Sequence, residues 1–359
     1  MTGSDLRKLN IGILGCGPIS QFTHFECCQK GKNVHLYAIC DEAKDLVERM
    51  AQIWQPEKVF FNYDHMLEDP ELDAVIIATS DAFHIPLALK AVEAGKHVLV
   101  EKPLSHSIEE CEKIIEATNQ RQVVVQVGHM KRFDQGFQFA HDFIREKAGE
   151  IIAIKAWYGD NTQRYTFTDN LQPRPVRSLL AIKPGFNEKA NLERYYMMAH
   201  GSHLLDTAQF LGGKIGALQA HLRHQEDLWC WFIHVDFESG AMGHLDLTIK
   251  IRGDWHEGFQ VYGTRGSVFA KTFNPWFYKS SEVECYLEEE QIFHRPLAAD
   301  GFSYRRQLES FADAIISKQP LSGTTLREGL EITRGMLAIH QSIRDSSSVH
   351  LDNLRYTAL

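Results

Sequence analysis

Short apolar runs alternate with helical patterns through the first third of the chain. NIGILG, VHLYAIC, VFF, AVIIAT, HVLVEK and VVVQVG read as strands, and between them PISQFTHFECCQK, EAKDLVERMAQIW, the short DHMLEDPEL, IPLALKAVEAG and IEECEKIIEATNQ place apolar residues at helical spacing. Strand and helix in repeated succession predict a parallel sheet with crossover helices. Ser107 and Glu110, three apart, predict a capping box at the start of the last of these helices. After about Arg132 the texture changes. IIAIKAWYG, ALQAHLRHQ, LWCWFIHVDFESGAMGHLDLTIKI, FQVYGTRGSVFAK and EVECYLEEEQIFH alternate apolar with polar residues around Gly-containing turns, which predicts an antiparallel sheet. YRRQLESFADAIISKQ and TLREGLEITRGMLAIHQSI close the chain as helices. The expected division is therefore 1–128, a parallel α/β domain, and 129–359, an α+β domain whose last helices are free to pack back onto the first.

Composition narrows the partners. A chain of 359 residues, 44% hydrophobic and 24% charged, is long enough for two buried cores. Its formal net charge of -9, with no Lys/Arg stripe, argues against nucleic acid or an anionic membrane and leaves a small molecule as the expected ligand. Seven scattered cysteines, Cys16, Cys27, Cys28, Cys40, Cys111, Cys230 and Cys285, lack metal-ligand spacing and are odd in number. They fit a reducing compartment, so a cytoplasmic location and no metal are expected. MTGSDLRKLNIGILG has no signal-peptide pattern, and no run approaches membrane-spanning length.

The first strand runs into Gly15-Cys16-Gly17-Pro18-Ile19-Ser20, a G-x-G-x-x-S that departs from the dinucleotide fingerprint only at its last position. Two glycines let the backbone turn and approach a pyrophosphate, Pro18 suits a first helical turn, and small Ser20 preserves close packing. The alternative is a plain strand-to-helix turn. Context favours the first reading, because Asp41 ends the next strand, where a carboxylate can bind both ribose hydroxyls. That carboxylate would repel a 2′-phosphate, and CDEAKD brings no Arg directly after it, so NAD is favoured over NADP.

Thr79 to Pro103, TSDAFHIPLALKAVEAGKHVLVEKP, together with DAVIIAT, VGHMKRFD, GSHLLD and YGTRGSV, resembles the Gfo/Idh/MocA family of dehydrogenases over nearly the whole chain. The resemblance implies a Rossmann dinucleotide-binding domain followed by an α+β domain with an open, mostly antiparallel sheet. It also implies that Thr79, Ser80, His84, Glu101 and Pro103 shape the cofactor pocket beside Gly15, Gly17, Pro18, Ile19 and Asp41. Lys102 matches the lysine that contacts the reacting hydroxyl, where an ammonium can polarise a carbonyl or relay a proton. The bland reading of Lys102 is a surface lysine after an edge strand.

His203 in AHGSHLLDTAQFLGG resembles the family's D-x-G-x-H-x-x-D helix. His203 and Asp206, three apart, share a helical face, so the carboxylate is expected to orient the imidazole as a general base. A satisfied core histidine is the alternative. The chain departs from the family four residues before His203, where Ala199 stands in place of the usual aspartate. His200, Tyr195 and Tyr196 are nearby replacements, and the sequence does not choose among them. The long segment between Trp157 and the His203 helix is rich in prolines and is expected to have little regular structure and to fold over the pocket. Its Arg164, Arg174, Arg177 and Arg194 are either solvated or anion-binding. Lys131 and Arg132 match a region lining the substrate side in the family, Arg132 the better candidate; the alternative is a domain-junction salt bridge.

These residues together lead to an NAD-dependent dehydrogenase acting on a secondary hydroxyl of a cyclic polyol, sugar or glycoside, with Lys102, His203 and Asp206 as the catalytic set and Lys102, Arg132, His200 and His203 against the substrate. Two other functions are compatible with the same motifs: a glycosidase that oxidises its sugar transiently and re-reduces it, and a catalytically silent dinucleotide sensor. With one face of the antiparallel sheet left open, the resemblance also implies a homodimer or homotetramer.

Overall fold

A computed structural model describes residues 7–185 and 187–358. The chain forms two compact units: one holds the described residues up to His129 with Pro173–Ala190 and Tyr304–Leu330, the other Met130–Gln172, Asn191–Ser303 and the described residues from Glu331 onward. Two later segments fold with the first unit: Tyr304–Leu330, from the closing helices expected to be free to pack back, and Pro173–Ala190.

In the first unit, strands β1 (Leu9–Leu14), β2 (Val34–Cys40), β3 (Lys58–Phe60), β4 (Ala74–Ile77), β5 (His97–Val100) and β6 (Val125–Val127) form a six-stranded sheet. All its pairs are parallel, in the order β3-β2-β1-β4-β5-β6. Helices α1 (Phe25–Lys30), α2 (Lys44–Trp54), α3 (Tyr63–Leu67), α4 (His84–Glu93) and α5 (Ile108–Asn119) lie between them in sequence. Ile11, Ile13, Ile39, Ile76, Val98 and Val100 are wholly buried, as central strands covered on both faces must be, and this is why their sequences read as apolar runs rather than alternations. Strand order reverses between β1 and β4, and such a switch point opens a crevice at the carboxyl ends of the strands.

Two local expectations change. The helix after the glycine turn begins with a π-helical stretch, Ser20–His24, before α1. The capping box forms only by half. Ser107 accepts the amide of Glu110 at 3.4 Å, but the Glu110 carboxylate takes the hydroxyl of Ser105, and Ser105 Oγ in turn accepts the Ser107 amide at 3.0 Å. Ser105 thus stands where the reciprocal bond was expected.

The second unit is built on a nine-stranded sheet made from β7 (Ile151–Asn161), β8 (Ile215–Gln225), β9 (Leu228–Phe237), β10 (Met242–Ile251), β11 (His256–Gly263), β12 (Gly266–Thr272), β13 (Glu282–Leu287), β14 (Ile292–His294) and β15 (Val349–His350). The order is β14-β13-β12-β11-β7-β10-β9-β8-β15, antiparallel except where β7 meets β10. Alternation works as predicted in β9: Trp231, Ile233, Val235 and Phe237 are buried, whereas Phe232, His234 and Asp236 are exposed. The buried face packs on Phe137, Ala140 and Phe143 of α6 (Gln135–Glu146) and on Leu204, Leu205 and Ala208 of α9 (Ser202–Gly212). The segment expected to lack regular structure holds two short helices, α7 (Arg164–Leu171) and α8 (Leu192–Tyr196), with a π-helical turn, Met197–Gly201, leading into α9. Two longer helices, α10 (Ser303–Ser317) and α11 (Leu326–Asp345), lie between β14 and β15 in sequence.

Among the described residues no helix is long and apolar enough to cross a membrane, and no group of three or more His, Cys, Asp or Glu is placed to hold a metal ion. All seven cysteines are free, and every one but Cys230 is buried.

Candidate active site

The glycine turn is formed by packing that excludes side chains. Gly15 has φ +96°, and a Cβ there would lie 2.6 Å from the carbonyl oxygen of Ala78. A Cβ on Gly17, by contrast, would meet nothing within 4 Å, so the backbone is open on the side where a pyrophosphate would approach. Ser20 donates its hydroxyl to the Gly15 carbonyl at 2.6 Å, which is what this chain gains from a serine at the fingerprint's last position. Asp41 accepts the amide of Cys16 at 2.8 Å and that of Ala43 at 3.0 Å. The carboxylate therefore fixes the turn to the end of β2 and remains half-exposed. An open glycine turn with a fixed acid beside it fits a dinucleotide.

Beyond β5 the chain enters Glu101, Lys102 and Pro103, with a cis peptide between the last two. Glu101 is buried and its Oε1 lies 2.9 Å from Nε2 of His24, itself 2% exposed. Burial alone would raise this carboxyl, but the His24 hydrogen bond and the nearby charges of His24 and Lys102 outweigh it and hold the group below the usual carboxylate range. His84 is fully buried, its Nδ1 2.8 Å from the Pro103 carbonyl and its Nε2 3.2 Å from that of Thr79. Through these two bonds it braces the Thr79 and Pro103 turns against each other. Lys102 is only partly buried, as are Thr79 and Ser80, whereas Pro18 is exposed and Ile19 partly so.

In the second unit the strand ends gather charge. Tyr158 on β7 is the hub: the ring of His203 stacks on it at 6.0 Å and 5°, Lys131 Nζ stands 4.4 Å from its centroid, Trp255 meets it edge-on, and its hydroxyl is 3.3 Å from Nδ1 of His200. Lys131 is bonded to Glu257, which also accepts the indole N–H of Trp255 at 3.1 Å. Asp160, two residues beyond Tyr158, is 6% exposed. Its Oδ2 lies 2.8 Å from the Arg164 guanidinium and 3.8 Å from Nε2 of His200, while Oδ1 is buried with no hydrogen-bond partner among the described residues. Burial pushes Asp160 up to about 6, Glu257 adding to the rise and Arg164 opposing it. Burial raises Glu257 as well, against the pull of Lys131. The side-chain amide of Asn161, next on the strand, is buried and unpartnered among the described residues. Buried, unevenly paired acids beside two histidines are an arrangement suited to proton transfer.

Asp206, on the His203 helix, anchors Arg132 with its Oδ1, through Nε at 2.9 Å and Nη2 at 2.7 Å. Arg132 is 3% exposed and also lies over Phe210 at 4.8 Å, so the ion pair is buried. Both partners belong to the second unit, so this pair is not the domain-junction salt bridge weighed as the alternative. Arg164 belongs to α7 and pairs with Asp160, whereas Arg174 and Arg177 are exposed and Arg194 lines a small cavity with Met197, Trp231 and His340. His200 and His203 both join the cluster, at 5% and 8% exposure. Tyr196 packs against His200, and Tyr195 against Tyr196. Sequence reasoning passed over Tyr158, Asp160, Glu257 and His24. The one signal for the first two was WYGDN, a strand that ends in polar residues where the alternation stops.

Residues 9–129 match the family model for the oxidoreductase family, NAD-binding Rossmann fold, and residues 196–351 match its C-terminal alpha/beta domain. The chain is 27% identical to a myo-inositol 2-dehydrogenase of Thermotoga maritima over 363 residues, 96% of this chain and 99% of that one. It is 26% identical to a scyllo-inositol 2-dehydrogenase (NAD(+)) of Bacillus subtilis, covering 98% and 99%. A levoglucosan dehydrogenase in complex with NADH shares the fold with a TM-score of 0.76 at 19% identity, over 96% of this chain and 99% of that one. Two matched domains in the family's order, an open glycine turn with its acid, and the EKP segment agree: the chain belongs to the Gfo/Idh/MocA family of NAD-binding oxidoreductases.

Proposed function

We propose that this oxidoreductase oxidises a secondary hydroxyl of a cyclic polyol, sugar or glycoside, or reduces the corresponding ketone. The observation that carries the proposal is the buried cluster around Tyr158, where His203, His200 and the elevated Asp160 gather in one unit. The inositol dehydrogenases among its relatives support the substrate class. Gly15, Gly17 and Asp41 hold the dinucleotide, and Thr79, Ser80, Lys102 and Pro103 border its nicotinamide end. Bound NAD supplies the hydride acceptor.

The protein's own part is proton handling and charge. A ring nitrogen of His203 takes the hydroxyl proton, and the Lys102 ammonium stabilises the negative charge that develops on the oxygen. Ala199 leaves the family's helical carboxylate missing, and Asp160 supplies it from β7 through His200 instead. Asn161 offers its unpaired amide to a substrate hydroxyl. A buried polar group left without a partner costs about 1–3 kcal/mol, which a hydroxyl-rich ligand would relieve.

The test uses NADH formation from myo-inositol and related polyols. His203→Ala lowers turnover about 10²–10⁴-fold with NAD affinity unchanged. Asp160→Asn lowers it too, and adding Ala199→Asp to that variant restores a substantial part. Full activity in His203→Ala removes the proposed base, and no rescue by Ala199→Asp removes the proposed substitution of one carboxylate by the other.

A further inference from the structure

The stretch after α7 leaves the second unit in sequence order and folds with the first. Two ties hold it. Gln21, in the first turn after the glycine loop, gives its Nε2 to the Val176 carbonyl at 3.0 Å and accepts the Val176 amide on Oε1 at 2.8 Å. The same Nε2 reaches the carbonyl of Cys16 at 2.8 Å. Ser178 donates its hydroxyl to Asp45 Oδ1 at 2.7 Å, and its Oγ accepts the amide of Leu180 at 2.9 Å, which sets the local bend. Asp45 lies in the first turn of α2, shortly after Asp41.

The strap therefore runs from the start of the first helix to the start of the second. In doing so it passes the turn that Asp41 holds through Cys16 and Ala43. That is the edge along which a dinucleotide's ribose and pyrophosphate lie. No helix or strand forms from Pro173 to Gly185, so the strap's position rests on side-chain ties worth about 1 kcal/mol each, too few to keep it docked under all conditions.

We propose that Pro173–Ile182 is a cofactor clasp: docked on Gln21 and Asp45 it forms the outer wall of the adenosine diphosphate part of the site, and bound dinucleotide in turn holds it docked. This rests on the NAD-binding role of the first unit and is independent of which alcohol is oxidised. Coupling is reciprocal, so whatever the strap adds to cofactor affinity, the cofactor adds to strap docking.

Trypsin reads the strap directly. Arg174 and Lys183 each precede a proline and resist cleavage, which leaves Arg177–Ser178 as the cleavable bond between them. Digestion of the full chain, followed by mass spectrometry, is expected to slow at Arg177 by about 5–150-fold with saturating NAD, and by as much with ADP-ribose, which lacks the nicotinamide. Val176→Pro removes the amide given to Gln21, and Ser178→Ala removes the Asp45 tie. Both variants are expected to weaken NAD binding, measured by calorimetry, about fivefold or more and to lose protection. Because both changes lie in the strap, an unaltered thermal midpoint without NAD confirms that the fold is intact. Equal cleavage with and without NAD, or wild-type NAD affinity in both variants, overturns the proposal. So does protection that follows protein concentration alone, which would assign the bare Leu179 and Leu180, 101% and 64% exposed, to contact with a second copy.

Discussion

At Asp160 a carboxyl is held where water barely reaches, against one guanidinium and one imidazole. Its ordinary value of 3.8 is lifted to about 6, chiefly by burial. A carboxyl raised in this way stabilises the folded state while protonated; that contribution is full below the unfolded value and is lost as pH rises through about 6. Asn carries no such titration. Relative to wild type, Asp160→Asn is therefore expected to gain roughly 2 kcal/mol of stability between about pH 4 and about pH 7, read from denaturant unfolding at both. Parallel stabilities at the two pH values would show that Asp160 titrates normally. Such a group was not legible in the sequence, because its elevation comes from neighbours far along the chain. Glu101 is the converse case: EKP is a local signature, and what it needed to be understood was His24, placed 77 residues earlier.

At the scale of elements, periodicity carried most of the fold. The central parallel strands announced themselves because burial on both faces leaves mostly apolar residues, and β9 and β10 because burial on one face forces alternation. What periodicity could not show was which residues at strand ends meet across the sheet. Glu257 pairs with Tyr158 in the β11–β7 register, and this register brings the WYGDN tail beside Glu257 and Trp255. The outward face of β9 and β10 presents Phe232 at 52% and Met242 at 51% exposure, with His234 opposite His244. An antiparallel sheet with one face packed on helices leaves the other to water or a partner. The expected homodimer or homotetramer would cover this face: light scattering at micromolar concentration is expected to give a dimer or tetramer, and a monomer would contradict that expectation.

At the scale of the molecule, the division of labour follows the two units. The first carries the open glycine turn, Asp41 and Lys102; the second carries His200, His203 and Asp160. The order of units was readable from the change of texture near Arg132. The crossing of the Pro173–Ala190 strap back to the first unit was not, because the hydrogen bonds of Val176 with Gln21 and from Ser178 to Asp45 have no sequence pattern. The central claim is that these units oxidise a secondary alcohol of a polyol or sugar at the expense of NAD. The most direct measurement mixes the purified chain with NAD and, one at a time, inositols, aldoses, ketoses, sugar phosphates and glycosides, and follows NADH absorbance. Stoichiometric, substrate-dependent NADH with one polyol or sugar class, absent in His203→Ala, is the predicted result. Binding of NAD with no NADH from any of them and no NADH consumption by the corresponding ketones would contradict it. Cleavage of a glycoside without net NADH would contradict it as well.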